Sequence, residues 1–77
     1  MEENTLDPRT EKIGAYIKKL REDAGYTSHE TFAYDNDLNR MQYWRMETGA
    51  NLRLTSLYRI LDIHKLTLAE FANGAGV

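Results

Sequence analysis

The chain has 77 residues, no cysteine and a formal net charge of −2. At this length we expect a single domain that buries only about 60% of its unfolded surface, and the lack of cysteine excludes disulfide bonds and thiolate metal sites and favours a reducing cytoplasm. No apolar run approaches the roughly 20 residues of a membrane span, and the acidic, polar start of the chain is unlike a signal peptide.

The first helix is predicted to begin at Asp7-Pro8, after a flexible arm of residues 1–7. Asp is a favoured N-cap residue, and Pro is favoured at the first helical position. Apolar residues then recur at helical spacing as far as Gly25, which ends the helix. These inward positions are Ile13, Tyr16, Ile17, Leu20 and Ala24.

Two short helices joined by a polar turn are predicted in the middle of the chain. The second helix should cover about residues 29–36 with Ser28 as its N-cap, and the third about residues 40–47 with Asn39 as its N-cap. Gln42 stands three residues after Asn39, which resembles a capping box. The predicted inward residues are Phe32 and Ala33 in the second helix and Tyr43 and Met46 in the third.

The surface that remains on the third helix carries the functional signal. A short helix that buries two residues and displays arginine and glutamine side chains is suited to contacting DNA base edges. Gln42 suits adenine, although it would serve equally well to complete the helix cap. Trp44 is expected to pack on the loop at residues 51–54, the alternatives being contact with DNA sugars or with a partner protein. The surface residues are Arg40, Met41, Gln42, Trp44 and Arg45.

Two further helices complete the predicted fold. Gly49 is expected in a left-handed turn, a fourth helix should cover about residues 56–64, and Thr67 with Glu70 forms a capping-box pattern that opens a fifth. The glycine-rich tail, residues 73–77, is expected to fray. No segment alternates with the period of a strand, so the prediction is a compact all-α domain of five helices over residues 8–72.

The charge of the chain is unevenly distributed. Its net negative charge counts against nucleic-acid binding, because counterion release supplies most of the non-specific affinity. Residues 1–37 hold five Lys and Arg against nine Asp and Glu, whereas residues 38–77 hold five against three. The positive half therefore begins where the third helix begins.

Taken together, these motifs resemble the phage-repressor-like helix-turn-helix family, of the Xre or Cro type, over roughly residues 13–71. The family's opening pattern I-x-x-L-R-x-x-x-G is matched by IKKLREDAG, the end of its third helix by METG, and its closing pattern by LTLAEF. One residue is added before Phe32. The turn reads DND where the family has glycine, so Asn36 or Asp37 should adopt the left-handed conformation.

The resemblance implies a role for particular residues. It places the helix-turn-helix at the second and third helices, with DNA base contacts from Arg40, Met41, Gln42 and Arg45. It implies phosphate contacts from Ser28, His29, Tyr34, Arg53 and Arg59. It also implies a partly buried ion pair between Arg21 and Glu47.

The predicted function is that of a sequence-specific DNA-binding transcriptional regulator, a bacterial or phage repressor that binds double-stranded DNA as a homodimer. It would be cytoplasmic and associated with the nucleoid when bound to DNA. We expect no cofactor and no metal, since His29 and His64 have no carboxylate cluster at ligand spacing. Nothing indicates an enzyme: there is no nucleophile grouping and no glycine-rich phosphate loop. The alternative is a protein-interaction module, or an antitoxin-type protein that binds a partner through the same fold.

Overall fold

The computed structural model describes residues 7–77, and these form five α-helices and no strand. The all-α prediction is thereby confirmed. Residues 1–6 of the predicted arm lie outside the described residues. The helices are α1 (Pro8–Asp23), α2 (His29–Asp35), α3 (Arg40–Glu47), α4 (Leu54–His64) and α5 (Leu68–Ala75).

Side-chain caps fix where four of the helices begin. Asp7 accepts a hydrogen bond from the backbone N–H of Arg9, and Ser28 accepts from two N–H groups in the first turn of α2. Asn39 caps α3 in the same way, and Thr67 forms a complete capping box with Glu70. These bonds satisfy N–H groups that have no partner within the helix.

Residues with positive φ mark the turns. Gly25 ends α1 with φ 94°, and Gly49 follows α3 with φ 90°. Asp37, at φ 58°, is the left-handed residue of the α2–α3 turn, so the prediction of an Asn or Asp in that conformation is confirmed. Aspartate tolerates this region better than most residues because its short polar side chain bonds locally.

Two helix boundaries differ from the prediction. α4 begins at Leu54, two residues earlier than expected, and α5 continues to Ala75 although residues 73–77 were expected to fray. Gly74 lies within this helix, and only glycine fits there because the Tyr16 ring occupies the space where a β-carbon would stand. The helix ends at Gly76, whose φ of 81° lets the N–H groups of residues 76 and 77 both bond to the carbonyl of Ala72.

α2 packs against α1 and α3, and all five helices contribute to the core. Phe32 is its centre: the ring lies 5.0 Å from the Tyr43 ring, 5.1 Å from Tyr26 and 5.5 Å from His64, measured between centroids. Aromatic contacts of this kind add to the free energy gained by burial. The buried apolar residues are Ile17, Phe32, Ala33, Tyr43, Met46, Leu57, Ile60, Leu61 and Phe71.

Gly14 brings α1 into direct backbone contact with the end of α3. A β-carbon at this position would lie 2.7 Å from the backbone nitrogen of Gly49 and 2.8 Å from the carbonyl oxygens of Glu47 and Met46. Since none of these backbone atoms can move independently, only glycine allows the two helices to approach so closely.

His64 is a half-buried titratable residue at the core. Its ring stacks on Phe32 at an interplanar angle of 7°, and its Nε2 is buried with no hydrogen-bond partner among the described residues. Burial lowers the pKa of His64 from its usual 6.5, because the charged imidazolium is penalised in this apolar setting.

The pKa of His64 predicts acid sensitivity of the fold. Because the folded state disfavours the protonated ring, the unfolded state binds more protons once the pH falls below about 6.5. The free energy of unfolding should therefore decrease as the pH is lowered from 6.5 towards the folded-state pKa. Urea titrations at several pH values measure this slope.

The variant His64→Phe keeps an aromatic ring on Phe32 but cannot titrate, so it should lose this part of the pH dependence. His29→Gln, which removes the other histidine, serves as the control and should keep it. An equal slope in the chain and in His64→Phe would contradict the assignment.

Candidate nucleic-acid interface

α3 presents most of its side chains to solvent. Among its apolar side chains only Tyr43 and Met46, three residues apart, are buried, as predicted. Met41 is 60% exposed and Trp44 is 45% exposed, and the two border the same depression. We call the exposed side of this helix the outer face of α3; it consists of Arg40, Met41, Gln42, Trp44 and Arg45.

A buried ion pair fixes α3 to α1 from behind. Arg21 donates from Nε to Glu47 Oε2 at 2.8 Å and from Nη2 to Oε1 at 3.0 Å, and the two side chains are 5% and 6% exposed. A third bond runs from Arg21 Nη1 to the carbonyl of Tyr26 at 3.0 Å. The two parallel bonds hold the end of α3 in one orientation.

Tyr43 lies beside this ion pair. Burial, together with the neighbouring Glu47 carboxylate, raises the pKa of the Tyr43 hydroxyl far above its usual 10, so it stays neutral. The carboxylate is near enough to act on the hydroxyl, yet no atom among the described residues meets hydrogen-bond geometry with it. We therefore assign Tyr43 a packing role. Both carboxylate oxygens of Glu47 accept hydrogen bonds from Arg21.

Only half of the predicted capping box forms at the start of α3. Asn39 Oδ1 accepts from the Gln42 N–H at 2.9 Å, but the reciprocal bond from the Gln42 side chain is not made. The amide of Gln42 therefore remains on the outer face of α3, where it is exposed. The Gln42 side chain therefore does not complete the helix cap, and its predicted contact with adenine stays a prediction.

The turn between α2 and α3 is held by α4. Arg59 donates from Nη2 to the carbonyl of Asp37, the left-handed residue, at 3.0 Å. Arg59 was expected to contact phosphate; its guanidinium remains exposed, but it already has this structural bond. The bond spans 22 positions of sequence, so no local pattern indicates it.

Positive charge is concentrated in one stretch of the described chain. Between residues 38 and 61 the only acidic residue is Glu47, and it is buried against Arg21. All four arginines of that stretch are exposed. This stretch of an acidic protein therefore has an excess of exposed positive charge, which attracts anions. The exposed arginines are Arg40, Arg45, Arg53 and Arg59.

Two of these arginines border one depression. It has a volume of about 170 Å³ and lies between α3 and the start of α4. Arg53, the residue before α4, makes no side-chain cap, so its guanidinium is not used by the helix. The depression is lined by Gln42, Arg45, Met46, Asn51, Leu52, Arg53 and Ser56. Among the sequence-predicted site residues it brings together Gln42, Arg45 and Arg53.

A second depression, of about 340 Å³, lies between α2 and α3. Trp44 lies on this side, with its ring 6.4 Å from the His29 ring, so the prediction that it packs on the loop at residues 51–54 is wrong. Consecutive residues of a helix point in different directions, and it is Arg45, the residue after Trp44, that faces the loop. The lining residues are His29, Glu30, Arg40, Met41 and Trp44.

Glu30 is a member of this surface that sequence reasoning missed. Its carboxylate lies 3.5 Å from Nη1 of Arg40, and both side chains are largely exposed. The two residues belong to different helices, so helical spacing gives no signal for the pair. Among exposed groups such a pair contributes little to stability, about 1 kcal/mol or less, but it directs the Arg40 guanidinium towards α2.

The remaining predicted contacts lie on α2. Ser28 uses its hydroxyl to cap α2, accepting from Glu30 and Thr31 at 3.1 and 3.3 Å. Tyr34 is 86% exposed and shares a further shallow depression with Arg40. The predicted phosphate-binding residues therefore fall in three places: beside the outer face of α3, at the start of α4 and at the α2–α3 turn.

No family model, curated protein or solved structure matches the chain. Within residues 7–77, no helix has the length and apolar character needed to cross a membrane. The same residues contain no group of three or more histidine and carboxylate side chains placed to hold a metal ion.

The buried ion pair gives a stability prediction. Glu47→Gln should lower the free energy of unfolding by about 3–5 kcal/mol, because it leaves the Arg21 guanidinium buried without a counter-charge. Urea denaturation measures the change.

The exposed pair Lys19–Asp23, at 3.2 Å, provides the matched control. Asp23→Asn should change the stability by about 1 kcal/mol or less, because both groups are in water. Equal effects of the two substitutions would show that Arg21–Glu47 is not the buried anchor described above.

Proposed function

We propose that the chain is a sequence-specific, double-stranded DNA-binding regulator, acting as a repressor, in which α2 and α3 form a helix-turn-helix of the phage-repressor-like type. One observation carries the proposal. α3 exposes five side chains, including two arginines and one glutamine, while a buried ion pair fixes its opposite side to α1. A rigid helix with such a face fits the major groove, which admits one α-helix.

The charge distribution supports this function despite the net charge of −2. The exposed arginines between residues 38 and 61 are accompanied by no exposed acid from the same stretch. The acidic residues of the first half would keep non-specific affinity low, since that affinity grows with the number of phosphates neutralised. Specific contacts from α3 would then decide where the protein binds.

Two parts of the surface would contact the DNA backbone. Arg53 and Arg45 border the depression at the start of α4, and guanidinium groups are well suited to binding phosphate. On the other side of α3, His29 and Tyr34 border the depressions that Arg40 shares. Phosphate contacts on both sides of a helix set its position in the groove and carry no sequence information themselves.

The small size of the outer face of α3 supports binding to DNA as a homodimer. One helix of eight residues contacts only a few base pairs, whereas two copies on half-sites about one helical turn apart double the recognised sequence. The recognised site should therefore be a palindrome.

The competing function is a protein-interaction module, as in an antitoxin that binds a partner. It is favoured by the exposure of Met41 and Trp44 at 60% and 45%, and of Tyr34 at 86%. The dependence on salt separates the two. DNA binding weakens with a log–log slope of about −0.9 for each phosphate neutralised, whereas an apolar protein interface lacks this dependence.

Selection of random double-stranded oligonucleotides with the purified chain tests the proposal. A palindromic motif bound with a steep salt dependence is the expected result. If no motif is recovered and the affinity for DNA does not change with salt, the result would contradict sequence-specific DNA binding and favour the protein-interaction function.

Arg45→Ala should relax the preference at one base position of each half-site, since a bidentate arginine–guanine contact discriminates by about 1–3 kcal/mol. Repeating the selection with this variant measures the change. Lys18→Ala removes one exposed positive charge from α1 and should leave the motif intact. The same motif, with the same strength at every position, in Arg45→Ala would remove Arg45 from the base contacts.

Glu30→Gln should strengthen binding to all sequences by roughly fivefold at low salt, because it removes a negative charge next to the phosphates and frees Arg40. Filter binding to matched and scrambled duplexes measures both affinities. Glu22→Gln, which neutralises an exposed acid on α1, gives the control for net charge alone. An equal gain in both variants would place Glu30 away from the DNA.

A further inference from the structure

We propose that Met41 recognises thymine, by packing its thioether side chain against the 5-methyl group in the major groove. The inference rests on the proposed DNA-binding function and goes further, because it assigns the chemical feature that this one residue detects.

The starting observation is an apolar side chain where a polar one is expected. Met41 is the second residue of α3 and is 60% exposed, although the neighbouring surface positions are arginine and glutamine. It borders the 340 Å³ depression together with Trp44, one turn further along the helix. Adjoining exposed apolar side chains, unlike a single one, are typical of a binding surface.

Within the described chain nothing covers this group. Met46, by contrast, is only 7% exposed and belongs to the core, so the two methionines of α3 have different roles. Met41 makes no contribution to the buried cluster, and a fold with this core does not need an apolar residue at that position. The Met41 side chain is therefore available to whatever the outer face of α3 binds.

The major groove offers one prominent apolar group. Guanine and adenine present acceptors or an amino group there, cytosine presents an amino group, and thymine alone adds a methyl group to its acceptor oxygen. The first residues of a recognition helix contact base edges, which is where Met41 stands. Its unbranched, polarisable side chain adapts to an apolar partner more readily than a branched one.

The surrounding charges are compatible with this partner. Arg40 is paired with Glu30 at 3.5 Å, so the two opposite charges that border the same depression as Met41 and Trp44 offset each other. Arg45 is four residues from Met41, so the two side chains are neighbours on the helix surface although they border different depressions. Since four residues rise about 6 Å and base pairs repeat every 3.4 Å, the thymine should lie within about two base pairs of the Arg45 contact.

Replacement of thymine by uracil in the selected duplex provides the test, because it removes the methyl group and leaves every hydrogen-bonding atom in place. Each thymine of one half-site is replaced in turn, and the dissociation constant is measured with the full chain. Loss of one methyl contact should weaken binding roughly fourfold at a single position, from the usual value of about 0.8 kcal/mol per buried methylene.

Met41→Ala identifies the residue responsible. This variant should bind the thymine and uracil duplexes equally at that position, whereas Leu68→Ala, which shortens an exposed apolar side chain on α5, should keep the fourfold difference. Since Met41 lies outside the core, thermal unfolding should show no loss of stability in Met41→Ala.

The outcomes separate this inference from the function on which it rests. Selection of no motif overturns both. A selected motif with equal affinity for thymine and uracil at all positions, or a difference that persists in Met41→Ala, overturns the thymine assignment and leaves DNA reading intact. In that case, loss of partner-protein binding in Met41→Ala would assign the exposed methionine to a protein interface.

Discussion

The close contact between α1 and the end of α3 is the constraint on which the rest of the structure depends. Gly14 allows backbone to meet backbone, and the Arg21–Glu47 pair closes the same contact with two short bonds in a buried site. Both features hold α3 from its inner side. With its position fixed there, the helix buries only Tyr43 and Met46 among its apolar side chains, and five other side chains form its exposed outer face. In so small a domain, this rigid contact with α1 allows most side chains of α3 to remain exposed.

Charge is sorted by burial as much as by sequence position. The acidic residue of α3 is withdrawn into the ion pair with α1, and the arginines of the following stretch stay in water. Glu30 is the exception, since it brings a carboxylate to the edge of the outer face of α3 and holds Arg40 beside it. The net charge of the chain is thus a poor guide to the field that an approaching polyanion meets, because that field depends on which charges remain solvated and where.

Local patterns predicted most of the fold. The caps at Asp7, Ser28, Asn39 and Thr67, the apolar spacing and the turn glycines each depend on residues close in sequence, and the five helices follow from them. Contacts between distant residues escaped prediction. The bond from Arg59 to Asp37, the pairing of Glu30 with Arg40 and the side on which Trp44 lies depend on how helices pack. The close packing of Tyr16 on Gly74, at the end of α5, is a further contact between distant residues that no local pattern indicates.

The bond from Arg59 to the Asp37 carbonyl ties the turn to a helix outside the α2–α3 pair. The turn between α2 and α3 is therefore supported from α4 as well as by its own residues. Under the proposed DNA-binding function, a substitution of Arg59 would act in two ways: through the predicted phosphate contact and through the turn that leads into α3.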